Sequence, residues 1–353
     1  MTRIFHIDLD TFFVSAERVR SPSLIGIPVV VGGTSATRGV VTCASYESRR
    51  FGVIAGMPIS IAKRLCPSSI VVPTDLKYYK KISKYFMDIL SEFCPFLEAL
   101  GLDEAYLDMT GFEPLFGCPT SSGLMLKKRI SKELGIPASV GIASSKPVAK
   151  IASAFCKPNG LLEIPYGKDV EFLSPLPVRK LPGVGNSTGR RLSLMGLETI
   201  GELANTSERK LSARLGKVGL SLRQIAKGLD ESPVMVEKNT KSIGREFTYQ
   251  EDSNDISYAR KALRYLVEQV CFDLRSQSRK AKTIELKLRW SDFVTLTRRT
   301  TSKAPSDLED VLYGRAAELL SREMEAEANG KDRPIRLIGF RLSEFHEVNH
   351  QTS

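Results

Sequence analysis

Asp8 lies in the run Ile4-Phe5-His6-Ile7-Asp8-Leu9-Asp10, and Asp103 and Glu104 are neighbours in Leu100-Gly101-Leu102-Asp103-Glu104-Ala105-Tyr106-Leu107-Asp108. Acids inside apolar, strand-like runs are costly to bury unless something positive compensates them, and a divalent cation that also bridges substrate phosphates does so. One such acid alone is more simply the solvated end of a strand or the cap of the next helix. Two features favour chemistry. The chain turns from strand to helix just past Asp8, which exposes backbone N–H groups beside the acid. Asp103 and Glu104, adjacent on a strand, start toward opposite faces, so both serve one site only at a strand end or around a shared metal cluster. Together the three fit a two-metal phosphoryl-transfer site, whose carboxylates bridge ions about 4 Å apart.

The elements that must position these acids follow from periodicity and turn signals. A first strand passes through Phe12-Phe13 into a short helix ending near Arg20, and two small strands around Pro28–Val31 and Gly39–Thr42 begin a subdomain that ends near Cys66-Pro67. From Ile70 a β-α-β-β-α-β order is expected: a strand at Ile70–Val72, a helix Leu76–Cys94, strands Phe96–Leu100 and Glu104–Met109, a helix Ser122–Leu134 and a strand Ala138–Ile142. With the N-terminal strand this predicts a helix-backed sheet of ferredoxin-like type, with Asp8 and Asp103-Glu104 on adjacent central strands. Beyond Pro165 come short helices, where Leu181-Pro182-Gly183-Val184-Gly185 has the form of a helix-hairpin-helix turn and Leu215-Gly216-Lys217-Val218-Gly219 a looser copy. After an aperiodic tether, a second β-α-β-β-α-β set is expected between Ser242 and Leu342. The fold class is therefore α+β and multidomain.

The chain has 353 residues, 51 Lys+Arg against 40 Asp+Glu, a net charge of +11 and a pI near 9.3, which suits a polyanionic partner. Nine bases between Arg275 and Lys303 face two acids, Glu285 and Asp292, and in Thr283–Trp290 the bases alternate with Ile284, Leu286 and Leu288. One face of that strand is apolar and the other positive, a pattern that an ordinary solvated face shares. Six dispersed cysteines and three unclustered histidines argue against zinc and a disulfide framework. With neither a signal peptide nor a long apolar run, a cytoplasmic protein is expected.

Six segments in order carry a resemblance to a known family: Asp8-Leu9-Asp10-Thr11-Phe12-Phe13, Ala44-Ser45-Tyr46-Glu47-Ser48-Arg49-Arg50-Phe51-Gly52-Val53, Leu102–Asp108, Ala149-Lys150-Ile151-Ala152-Ser153, Lys157-Pro158-Asn159-Gly160 and Leu181–Gly185. The chain resembles, over nearly its whole length, a Y-family translesion DNA polymerase of the DinB, or DNA polymerase IV, branch. The resemblance implies a right-hand polymerase with a palm at 1–10 and 74–165, small fingers at 11–73, a helix-hairpin-helix thumb at 166–231, a linker at 232–241, a little finger at 242–345 and a tail at 346–353. It implies that Asp8, Asp103 and Glu104, with the Leu9 carbonyl, hold two Mg²⁺ ions, for which Mn²⁺ can substitute. Phe12, Phe13, Tyr46, Arg49 and Lys157 fall at the nucleotide site, with Tyr46, Arg49 and Lys157 on the triphosphate, Phe13 as steric gate against a ribose 2′-hydroxyl, and the Phe12 ring expected in the core. Gly183, Val184, Gly185, Lys287, Arg289, Arg298 and Arg299 are the expected DNA contacts.

The implied activity is template-directed, low-fidelity extension of a DNA primer with dNTPs past damaged template, by a monomer without proofreading exonuclease. Small residues in the fingers, Gly32, Gly33, Thr42 and Ala44, suggest a roomy roof over the templating base. Cys43 stands where relatives often have threonine, and Gly101 replaces a usual serine. A sliding clamp is a candidate partner through the little finger, although the C-terminus lacks the usual clamp-binding tail; no membrane partner is expected. A catalytically inactive DNA-binding scaffold is the alternative, disfavoured by retention of all three acids. A nucleotidyl cyclase would leave the hairpin turn and basic sheet without a role.

Overall fold

The computed structural model describes residues 2–33, 38–236, 240–328 and 333–347. The chain divides into two compact units, Met1–Glu237 and Lys238–Ser353. In the first, β1 (Ile4–Leu9) leads into α1 (Phe12–Arg20), followed by β2 (Val29–Gly32), β3 (Val41–Ala44), α2 (Tyr46–Arg49), α3 (Ile59–Leu65) and β4 (Ile70–Pro73). Then come α4 (Leu76–Phe93), β5 (Leu97–Ala99), β6 (Glu104–Asp108), α5 (Glu113–Phe116), α6 (Pro119–Leu134), β7 (Ala138–Ala143), α7 (Lys146–Phe155) and β8 (Leu161–Glu163). Helices α8 (Asp169–Leu173), α9 (Asn186–Leu194), α10 (Ile200–Asn205), α11 (Glu208–Leu215) and α12 (Lys217–Ala226) complete the unit.

β1 is buried except at partly exposed Asp8, as a strand at the centre of a covered sheet should be. It lies between β6 and β7 in the order β5-β6-β1-β7-β8. Phe5, Ile7 and Leu9 point to one face, under α4 and α6, whose Phe86, Leu90, Leu126 and Ile130 share that core. Asp75 starts α4 by accepting the Tyr78 N–H at 3.0 Å, and Gly135, at φ 68°, ends α6. Ile4 points to the opposite face, where it joins Val148, Ala149 and Ala152 of α7. Gly141 allows that approach, because a Cβ there would sit 2.0 Å from the Ala149 carbonyl oxygen.

The strand expected at Ile70–Val72 exists but does not join this sheet. It pairs parallel with β2, Val30 opposite Val71, in a separate sheet ordered β3-β2-β4. β1 takes its place as first strand of the ferredoxin-like set, leaving β5-β6-β1-β7 as second, third, first and fourth. α7 was not among the elements expected from periodicity.

The second unit runs β9 (Ser242–Ser253), α13 (Ile256–Arg275), β10 (Arg279–Trp290), β11 (Thr295–Ser306), α14 (Glu309–Ala328) and β12 (Ile335–Glu347). Its sheet is antiparallel throughout, ordered β11-β10-β12-β9. Ile284, Leu286, Leu288 and Trp290 alternate inward against Leu263, Val267 and Val270 of α13 and Leu312 and Leu320 of α14. β12 continues two residues past the expected end of this domain at 345, and the rest of the expected tail lies outside the described residues.

Candidate active site

Asp8 and Glu104 are direct cross-strand partners on β1 and β6. Such partners share a face, so both carboxylates point the same way. Asp103 lies in the bend just before β6, with its carbonyl accepting the Leu9 N–H at 2.9 Å. The strand alternation that would turn it away from Glu104 has not yet begun there.

The acids share the face covered by α7, and that helix brings the compensating charge. Lys150 contacts Glu104, Lys157 just past the helix contacts Asp8, and His6 Nε2 lies 3.2 Å from Glu104 Oε2. Ser153, also on α7, holds the other ring nitrogen of His6 at 2.6 Å. Burial raises the Asp8 pKa against the pull of Lys157, and burial together with the Glu104 charge raises that of Asp103. Contact with His6, reinforced by Lys150, brings Glu104 down to about 2.

Among the described residues no three His, Cys, Asp or Glu side chains are drawn into a ready metal cage. The donor set nevertheless suits a hard divalent cation: carboxylate and carbonyl oxygens, with two acids whose charge is disfavoured by burial.

Thr11 occupies the left-handed region at φ 43°, rare for a β-branched residue, and this turn swings the chain from β1 into α1. Two residues later the half-buried Phe13 ring stacks on Tyr79, centroids 4.2 Å apart at 14°. Tyr79 is itself fixed, its hydroxyl donating to Glu17 Oε1 at 2.8 Å. Phe12 is 3% exposed and belongs to the core.

Ser45 caps the short α2 and so places Tyr46 and Arg49. The Tyr46 hydroxyl donates to Asp10 Oδ1 at 3.4 Å, and exposed Arg49 donates from Nε to the Ala44 carbonyl at 3.0 Å, leaving the rest of its guanidinium for a ligand. Cys43 is half-buried, and burial raises its thiol pKa. The small residues of the suggested roof divide. A Cβ on Gly32 would lie 2.5 Å from the Val40 carbonyl oxygen and Ala44 is buried, so packing accounts for both; Thr42 is exposed and Gly33 half-buried.

Asp10, Lys150 and His6 were not singled out from sequence. Asp10 reads as an ordinary acid at a helix start, yet it is fully buried and accepts hydrogen bonds from Ser139, Asn159 and Tyr46. Its position two residues after Asp8, where an apolar strand gives way to a turn, was the available signal.

Gly183 takes φ 88° and Gly185 precedes α9, so the turn exposes the first N–H groups of that helix. In the second unit, Lys287, Arg289 and Arg299 lie on the sheet face away from the helices, with Lys287 2.7 Å from Glu246 and Arg299 3.7 Å from Glu344. Arg298 lies opposite inward-facing Leu286 and reaches α14, where it pairs with Glu323 at 2.6 Å. Neighbouring strand residues point to opposite faces, so Arg298 and Arg299 cannot line one surface.

A catalytic ferredoxin-like sheet with acids at the ends of its central strands, followed by a helix-hairpin-helix module, defines a nucleotidyl-transferring polymerase. Residues 7–154 match the impB/mucB/samB family model, 240–353 the model of that family's C-terminal domain, and 179–230 the model described as DNA polymerase-iota, thumb domain. The chain belongs to this family, the Y-family DNA polymerases, in its DinB branch. It is 40% identical over 343 residues to a DNA polymerase IV of Dehalococcoides mccartyi (strain CBDB1), spanning 97% of this chain and 87% of that protein. To a DNA polymerase IV of Methanoculleus marisnigri it is 39% identical, spanning 96% and 93%. A Y-family polymerase chimera of Dbh and Dpo4 superposes with TM-score 0.89 at 29% identity, covering 98% of this chain and all of that one. The insertion ternary complex of Dbh DNA polymerase gives 0.67 at 29%, with the same coverage. The chain is thus a DNA-directed DNA polymerase of the low-fidelity, translesion kind, and depends on divalent metal. No helix among the described residues is long and apolar enough to cross a membrane.

Proposed function

We propose that Asp8, Asp103, Glu104 and the Leu9 carbonyl hold two Mg²⁺ ions, replaceable by Mn²⁺, where a dNTP is joined to a primer 3′-hydroxyl opposite a template base. The observation that carries the reading is the cross-strand pairing of Asp8 with Glu104, Asp103 beside them, at the end of a strand from which the chain turns into the helix bearing Phe13. When bound, the ions would supply a lowered pKa for the 3′-hydroxyl and neutralise charge on the departing pyrophosphate.

The protein's own groups do the rest. Phe13, held by Tyr79, excludes a 2′-hydroxyl by collision. Arg49 grips phosphate oxygens through its planar fork, Lys157 adds a point charge and Tyr46 a hydroxyl. The N–H groups after Gly183-Val184-Gly185, and Lys287, Arg289 and Arg299, hold primer-template phosphates; Arg298 is the least suited, being committed to Glu323.

The reading assigns 1–10 and 74–165 to the palm, 11–73 to the fingers, 166–231 to the thumb, 232–241 to the linker and 242–345, with the end of β12, to the little finger. It takes the protein as a cytoplasmic monomer whose little finger is the candidate clamp-binding part. Primer extension on primed template with Mg²⁺ and each dNTP tests it. Templated addition is the expected result, and no addition across a range of metals and salt concentrations would overturn it.

A further inference from the structure

Asp10 has 0% exposure, and the metal site described above makes no use of it. Ser139 Oγ lies 3.0 Å from both carboxylate oxygens and is itself held by the Gly160 N–H at 3.2 Å. The Asn159 N–H donates to Oδ2 at 2.5 Å and the Tyr46 hydroxyl to Oδ1 at 3.4 Å. Lys157, in contact with Asp8, is also 3.9 Å from Asp10 Oδ1. Three segments therefore converge on one carboxylate just past the end of β1: β7, the loop after α7, and α2. A buried carboxylate is costly to leave unanswered, so the donors are drawn to it as firmly as it is to them.

Two of these donors, Tyr46 and Lys157, come from distant segments and are both assigned above to the triphosphate. Neither bond is saturating: the tyrosine bond is long and the lysine is shared. We propose that Asp10 is a positioning residue for the incoming triphosphate, an internal anion that holds the Tyr46 hydroxyl and the Lys157 ammonium at one place before the phosphates arrive. The proposal rests on the assignment of Tyr46 and Lys157 to the triphosphate. Asp8 is the other anion on Lys157, and it is expected to serve a metal; Asp10 is then the carboxylate left to keep the ammonium from swinging into solvent.

Asp10→Asn keeps the shape and one acceptor oxygen and removes the charge. Measured on a dideoxy-terminated primer-template, where nucleotide binds without reacting, the dNTP Kd should rise about tenfold, the size of a missing bond to a charged group. Turnover at saturating dNTP and primer-template affinity should change far less, and Asp10→Glu should recover part of the loss. Lys157→Ala should raise Kd in the parent and add little in the Asp10→Asn background, as coupled residues do. Fully additive effects, or an unchanged Kd in Asp10→Asn beside a raised one in Lys157→Ala, would overturn the positioning role alone. Lower melting temperature with parallel losses in turnover and DNA affinity would make Asp10 a structural stitch and also overturn it. If Lys157→Ala and Tyr46→Phe both leave Kd unchanged, the triphosphate assignment fails and this proposal falls with it.

Discussion

Both sheets are built from the same succession, β-α-β-β-α-β, and reach different strand orders. In the N-terminal unit the first strand is inserted at the centre; in the C-terminal unit it lies at the edge, and the second and fourth strands take the centre. Helices pack on both faces of the first sheet, α4 and α6 on one and α7 on the other, so β1 meets solvent at its end, where the acids gather. α13 and α14 pack on one face of the second sheet, and charged residues run along the other. Charge collected at a strand end makes a focused site, whereas charge spread along a face makes an extended grip. The bases of that grip are also largely answered from within, Lys287 by Glu246 and Arg341 by Glu285 at 3.3 Å, which moderates a field that composition alone makes look strong.

If this division of labour is right, damage to one sheet should spare the task of the other. Asp103→Ala should cost extension several orders of magnitude with primer-template affinity nearly intact; a parallel loss of affinity in a folded variant would break the contrast. Phe13→Val should raise ribonucleotide incorporation by orders of magnitude in single-nucleotide assays, and unchanged sugar selectivity would remove Phe13 from the gate. Replacing Lys287, Arg289 and Arg299 together by alanine should weaken DNA binding and flatten its logarithmic salt dependence by about 0.9 for each phosphate no longer neutralised, with turnover of bound complexes unchanged. Arg298→Ala should leave that slope alone, and a slope change equal to that of Arg299→Ala would contradict the face assignment. The smallest effect should come from Cys43→Thr, which supplies a better donor where the thiol is weak and should lower the dNTP KM a few-fold at most.

Much of this was legible beforehand. The apolar runs around Asp8 and Asp103 marked strands, the expected ferredoxin-like topology put them side by side, and the alternation in Thr283–Trp290 identified both faces of β10. What escaped has physical causes. β4 is a short apolar run like many others, and only pairing, which local sequence does not encode, decides which sheet receives it. α7 did carry a signal, Pro147 in its first turn and an apolar stripe through Val148, Ile151 and Ala152, and the contacts of Lys150 with Glu104 and Ser153 with His6 went unseen with it. Asp10 escaped because its donors are scattered from Tyr46 to Asn159. The Arg298 and Arg299 pair could have been separated from sequence, since adjacent strand residues must diverge.

The left-handed Thr11 turns the chain from β1 almost directly into α1, so Asp8, on the strand held between β6 and β7, and Phe13, in the first turn of the helix, are only five residues apart. If Phe13 inspects the sugar and Asp8 serves the metal, as proposed, both tasks are gauged from one stretch of chain. On the roles proposed above, this short tie would keep the choice of sugar in step with the chemistry whatever latitude the template base is given.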